Sequence, residues 1–169
     1  AQSPLAGWLG HRQPFAFESE YASAPGVARF QAGTPPVLSM VALRAALQVF
    51  EDVSLAGLRR KSLALTDHFL ACLAHEALLP GAFELATPRP PARRGSQISL
   101  RHPEAWGISR ALIERGVIVD FRAPDIVRFG FAPLYDRFDD ARRAALALAA
   151  ILRDGAHRDP RFAERPVVT

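Results

Sequence analysis

Few residues in this chain could do chemistry, and the most suggestive of them sit at the start of a helical pattern. The stretch GTPPVLSMVALRAALQVF, residues 33–50, opens with a glycine, a hydroxyl and two prolines and runs straight into apolar helical spacing. Locally, Thr34 caps the helix and proline occupies the first turn, where its missing N–H is not needed. Chemically, a helix start with free backbone donors beside a threonine hydroxyl is a ready phosphate site. Both readings stand on the residues alone. Two further stretches join this one: GWLGH (7–11) places Trp8 between glycines in an exposed loop, and IVRFGF (126–131) places Arg128 in a strand. By period-two alternation Val127 and Phe129 share a core face, so Arg128 points away from the core, toward a cleft between lobes. The structural alternatives are a Trp8 that only packs its loop and an Arg128 that only pairs with Asp120 or Asp125. Cys72, on the apolar stripe of a helix, reads as a small buried hydrophobe. The role of His11 stays open.

These residues are carried by two kinds of sequence. Residues 1–32 read mostly as loop, with short extended pieces around Phe15–Phe17 and Val27–Phe30. From Pro36 to about Asp52 the apolar positions suit a largely buried helix. A second helix, capped by Ser54, runs to about Leu78 with Leu58, Leu65, Phe69, Cys72 and Leu73 on one face, and LLPG (78–81) stops it. Beyond that point AFELATP (82–88) and SQISLRH (96–102) read as strands. A helix follows over 103–117 with Gly116 at its end, then strands at 117–122 and 125–131 with a turn at Ala123–Pro124. A last amphipathic helix spans 137–153, with Asp139 and Asp140 in its first turn. The tail reads as frayed or as a crossing segment. Residues 80–155 are therefore expected to form a ββαββα lobe, an α+β unit with helices on one face of a small sheet.

Composition narrows the function. With 169 residues, 49% hydrophobic and 22% charged, the chain can bury a core as one domain or two small lobes. No apolar run approaches the roughly 18 residues of a membrane span, and the N-terminal stretch has no signal-peptide layout. The single cysteine excludes an internal disulfide framework and offers no metal-ligand cluster, so no metal is expected and the expected location is cytoplasmic. The formal charge is +4, but 20 of the 21 basic residues are arginine, spread along the chain without an aromatic platform. RRK (59–61) and RPPARR (89–94) read as solvated surface, and neither nucleic acid nor a membrane is an expected partner. The arginine bias itself suits the codon composition of a GC-rich bacterial genome.

Taken in series, GWLGH, GTPP, LRRKSLALTD (58–67), RRGSQISL (93–100), LIERGVIVDFR (112–122) and IVRFGFAPLYDRFDDA (126–141) resemble the C-terminal part of kynureninases. These are pyridoxal-phosphate (PLP) enzymes of the class V aminotransferase group, and the resemblance covers roughly residues 4 to 153 in consistent order. It implies an α/β chain of PLP-dependent transferase fold type I. Residues 1–53 would be the C-terminal end of the large domain, 54–79 a connecting helix, 80–155 the small domain and 156–169 a tail. It implies that the Trp8 indole donates to the PLP phosphate and that Thr34 contacts the same phosphate from the partner subunit of a homodimer. Gly33 would tune room for the substrate ring, Phe15 would line the ring pocket or serve as plain core, and Arg128 would bind the substrate α-carboxylate. The implied reaction is hydrolytic Cβ–Cγ cleavage of L-kynurenine, or of its 3-hydroxy form, to the anthranilate and L-alanine, in tryptophan catabolism and NAD biosynthesis. Gly33–Thr34 in place of Ser-Asn leans toward kynurenine itself.

The same resemblance implies what is missing. The Schiff-base lysine and the aspartate that pairs with the pyridine nitrogen belong to the large domain, before GWLGH. Lys61, the only lysine, lies mid-helix between Arg60 and Ser62, an unsuitable setting for that role. No catalytic residue is therefore expected in this chain, which reads as an inactive C-terminal fragment carrying half a site. Two other readings are another class V PLP enzyme, aminotransferase or desulfurase-like, and a non-enzymatic ββαββα binding module. A free-standing module should hide its apolar surface, whereas part of a larger enzyme should expose the faces that meet the rest.

Overall fold

Ser54 sets the start of the longest helix: its hydroxyl accepts from the Gly57 backbone N–H at 3.0 Å, and helix α2 follows over Leu55–His75. In a computed structural model that describes residues 4–164, this point also divides the chain into two units, residues 1–53 and 54–169. Residues 165–169, the end of the expected tail, lie outside the described residues, as do residues 1–3.

The second unit is a four-stranded antiparallel sheet under three helices. Strands β1 (Glu84–Leu85), β2 (Gln97–Arg101), β3 (Asp120–Arg122) and β4 (Ile126–Gly130) are ordered β1-β2-β4-β3. Helices α3 (Ala105–Glu114) and α4 (Phe138–Asp154) complete it with α2. Leu65, Phe69 and Leu73 from α2 form one buried cluster with Ile98 and Leu100 of β2 and Val127 and Phe129 of β4. Ile108 and Leu112 of α3 and Ala145, Leu148 and Ile151 of α4 belong to the same cluster. The Phe69 ring lies 4.8 Å from that of Phe129 and 5.3 Å from that of Phe131, centroid to centroid. Truncating a buried ring of this kind to alanine costs about 3–5 kcal/mol. Helix α3 stops where Gly116, at φ +78°, turns the chain in a left-handed conformation that other residues resist. Asp140 supports the start of α4 by accepting from the Arg137 backbone N–H at 2.9 Å.

Two features of this unit bear on the sequence reading. RPPARR is not a wholly solvated run: the Arg94 side chain is buried, pairs with Asp67 and donates to the Arg89 carbonyl at 2.6 Å and Thr66 Oγ1 at 3.3 Å. Arg59 reaches the same loop through the Pro91 and Arg94 carbonyls, at 2.8 and 2.9 Å. The arginines thus tie an irregular loop to α2, which composition alone does not reveal. The segment after α4 is packed, with short turns at Ala156–Arg158 and Pro160–Phe162 and with His157 and Phe162 buried. Its anchor is Glu104, which accepts from Arg158 Nε at 2.9 Å and Nη2 at 3.0 Å and lies 3.2 Å from His157 Nε2.

The first unit departs furthest from expectation. Helix α1 covers Val37–Leu47 and tightens into a 3-10 turn over Gln48–Phe50, yet none of its residues is buried. Leu38 is 86% exposed and Val41 59%, so the largely buried helix read from the apolar spacing is instead an apolar rod open to solvent. The extended piece expected at Val27–Phe30 is a 3-10 turn over Gly26–Phe30, and the one expected at Phe15–Phe17 is a bend with Phe17 at φ +52°. No helix among the described residues is long and apolar enough to cross a membrane.

The Glu104 anchor makes acid stability testable. Hydrogen bonding from Arg158, then from His157, holds its carboxyl down at about 2 against an ordinary 4.5. A depressed carboxyl contributes stability that is complete above its ordinary value and is lost as pH falls toward the folded one. Burial also lowers His102, which acts in the same direction below 6.5. Glu104→Gln should therefore lower stability at neutral pH and flatten its decline between about pH 4.5 and 2, read by urea unfolding at stepped pH.

Candidate functional site

In the first unit the buried residues among those described are Gly10, His11 and Ala24, so close backbone approach does the work of a core. Trp8 opens a 3-10 turn over Trp8–Gly10. A Cβ on Gly7 would fall 1.8 Å from the Ala32 carbonyl oxygen, and one on Gly10 would fall 2.7 Å from that of Arg29. The two glycines of GWLGH are therefore packing glycines that let the 7–11 loop lie against residues 29–32. This sets Trp8 beside the segment that carries Gly33 and Thr34.

His11 locks the same loop. Its Nδ1 accepts from the Gln13 backbone N–H at 3.0 Å and its Nε2 donates to the Glu20 carbonyl at 3.2 Å, which fixes the proton on Nε2. The Tyr21 ring stands edge-on at 5.5 Å. Both ring nitrogens of His11 are thus engaged in holding the loop. Trp8 is half-exposed, and its indole N–H has no hydrogen-bond partner among the described residues. The Phe15 ring meets it edge-on at 5.5 Å and is 70% exposed. A cavity of about 380 Å³ opens beside Trp8, lined also by His11, Pro14, Phe17, Glu18 and Tyr21.

Thr34 does not cap α1. The helix begins at Val37, its N-cap position is Pro36 with extended backbone (φ −70°, ψ 94°), and no side chain caps it. The two prolines hold the chain extended for two residues beyond Thr34, so its hydroxyl is too far from the first turn to cap and remains exposed. Neither proline sits inside the first turn as expected. Beside it, a Cβ on Gly33 would meet nothing within 4 Å, so Gly33 borders open space.

Arg128 belongs to the second unit and lies on the uncovered face of the sheet, opposite Val127 and Phe129 as the alternation requires. In register, Arg128 faces Asp120 on one side and Ser99 on the other. Its Nη2 donates to Asp120 Oδ2, and Arg122 Nη2 reaches the same oxygen at 3.0 Å. The sequence alternatives included the Asp120 pair but missed Arg122; the alternation of DFR against IVRFG carried that signal, since Asp120 and Arg122 must share a face. Farther along the face, Arg101 is balanced by Asp125 at 3.7 Å and Glu84 at 4.0 Å. Lys61 is half-buried within α2, and Cys72, also on α2, lies 3.7 Å from His68 Nε2 and is partly exposed, not the fully buried hydrophobe expected.

The packing glycine offers a direct check. Gly7→Ala forces a methyl group into the Ala32 carbonyl, and such overpacking costs about 1–3 kcal/mol. Limited proteolysis should cut the variant earlier than the parent within residues 5–33 while leaving the second unit's protection unchanged.

Residues 58–148 match the family model of the kynureninase C-terminal domain. Proteins named kynureninase from Burkholderia mallei and Burkholderia pseudomallei are 47% identical over 168 residues, 99% of this chain and 40% of theirs. One of the same name from Deinococcus radiodurans is 51% identical over 152 residues, 90% of this chain and 37% of its own length. The chain thus spans about 40% of the length of the curated relatives it matches. By sequence, over nearly its whole length, the chain belongs to the kynureninase family.

Proposed function

We propose that this chain acts as part of a PLP-dependent kynureninase, which cleaves the Cβ–Cγ bond of L-kynurenine with water to give anthranilate and L-alanine. In that reading residues 1–53 end the large domain of a fold type I enzyme, 54–79 connect, 80–155 form the small domain and 156–169 the tail. The working enzyme is a cytoplasmic homodimer with its site shared across the interface. The observation that carries the reading is the position of Arg128. It stands on an open sheet face, held by one oxygen of Asp120, with most of its guanidinium donors unclaimed among the described residues. A guanidinium has five N–H donors in a fixed fork, and one occupied donor leaves a two-pronged edge for a carboxylate.

The first unit's residues fit the cofactor's phosphate. The Trp8 indole N–H and the Thr34 hydroxyl are uncommitted donors among the described residues, and in this reading they reach one phosphate from neighbouring subunits, Thr34 across the interface. PLP supplies an electron sink when bound. This chain's own residues bind and orient: Trp8 and Thr34 hold the phosphate, Arg128 fixes the α-carboxylate, Phe15 lies against the substrate ring and Gly33 leaves room for it. No residue here moves the α-proton. Lys61 is set within a helix, and we assign it no part in Schiff-base chemistry, so the chain by itself is inactive. The exposed apolar surface of α1 favours a larger enzyme over a free-standing binding module, because such surface calls for a cover.

Two substitutions in the full-length enzyme test this. Thr34→Ala removes a hydrogen bond to a charged group, worth roughly 1.5–3 kcal/mol, so PLP affinity should fall about tenfold or more. Unchanged PLP titration would leave GTPP without a cofactor role. Arg128→Lys keeps the charge but loses the fork, and should raise the Michaelis constant for kynurenine while PLP binding and thermal stability stay as they were. Unfolding of the second unit with an unaltered Michaelis constant would make Arg128 a structural ion-pair residue.

A further inference from the structure

We propose that Asp120 and Arg122 are positioning residues for Arg128: Asp120 aims its guanidinium, and Arg122 keeps Asp120 from cancelling its charge. The inference rests on the reading of Arg128 as the carboxylate-binding residue. All three side chains lie on the uncovered sheet face, Asp120 directly opposite Arg128 and Arg122 one step along the same strand. One oxygen, Asp120 Oδ2, receives both guanidinium groups.

Charge decides what this arrangement can do. An Arg128–Asp120 pair alone would be neutral and would offer an incoming carboxylate little attraction. It would also present a carboxylate that repels it. With Arg122 on the same oxygen the trio carries one net positive charge, and the next cation along the face, Arg101, is already balanced by Asp125 and Glu84. Geometry follows the same logic. A free arginine samples many rotamers, and pinning one Nη fixes the plane of the fork before the ligand arrives, which lowers the ordering cost of binding. On the other flank the register partner of Arg128 is Ser99, a small neutral side chain and not a second carboxylate.

The test uses the full-length, PLP-loaded enzyme, with steady-state kinetics on L-kynurenine and inhibition by its decarboxylated analogue, which lacks the α-carboxylate. Asp120→Ala should raise the Michaelis constant for kynurenine roughly three- to thirtyfold, inside the about 2- to 140-fold spanned by coupling within one charged network, with kcat nearly unchanged. Inhibition by the decarboxylated analogue should not move. Asp120→Asn keeps an oxygen acceptor and should stay close to the parent. Arg122→Gln should raise the Michaelis constant, and the double variant Asp120→Asn/Arg122→Gln should bring it back, a compensation that a merely structural role would not produce. If Arg128→Gln raises the constant but neither Asp120→Ala nor Arg122→Gln does, or if Asp120→Ala lowers it, the positioning role is wrong and the carboxylate reading survives. If Arg128→Gln itself leaves the constant unaltered, the carboxylate reading fails first. Should Asp120→Ala not fold, the Arg122→Gln variant and its double partner decide alone.

Discussion

The open sheet face depends on a contact made on the opposite face. Phe69, fully buried on α2, sits against Phe129 and Phe131, and with Val127 this fixes which side of β4 faces the helices. Side chains alternate along a strand, so a slip of one residue would drive the Arg128 guanidinium into that cluster and expose two large apolar groups. A buried, unpaired guanidinium is costly enough that the register has no close competitor. Hydrophobic packing on one side thereby sets Arg128, Asp120 and Arg122 side by side on the other.

Two arginines show how far partner number can differ between side chains of one type. Arg94 spends its donors inside the protein, on Asp67, Thr66 and the Arg89 carbonyl, with its side chain almost wholly buried. Each of its three nitrogens is engaged, and it holds a loop. Arg128 spends one nitrogen on Asp120 and its side chain is 30% exposed. The residue type is the same and both have an aspartate partner, yet the second engages fewer of its donors among the described residues.

The second unit was legible in the sequence because its partners lie within it. Helices α2, α3 and α4 and the strands at 97–101 and 126–130 each bury the stripe that their periodicity marks, and the glycine and proline punctuation falls where the elements end. Arg128 was legible for the same reason, through the alternation of its neighbours. Arg94 was not, since a buried arginine has no compositional mark and is recognised only by Asp67, 27 residues away. The first unit misled the reading at α1, where apolar spacing predicts burial but the residues are exposed. Periodicity reports that a surface needs covering and says nothing about where the cover comes from. The prolines misled differently: Thr34 has the right side chain for a cap, but Pro35 and Pro36 delay the helix to Val37.

The exposed surface of α1 bears on the segment that carries Trp8 and Thr34. Ordering a backbone costs about 1–2 kcal/mol per residue, and a unit in which Gly10, His11 and Ala24 are the buried residues recovers little of that by its own packing. Its precision comes from backbone-to-backbone fits at Gly7 and Gly10 and from the two hydrogen bonds of His11. Such fits define a shape but contribute little stability without a surrounding apolar surface. The exposed rod of α1, immediately after Thr34, is the surface through which that stability can be supplied. Trp8 and Thr34 therefore ride on a segment whose local geometry is written in its own sequence and whose persistence depends on what packs against α1.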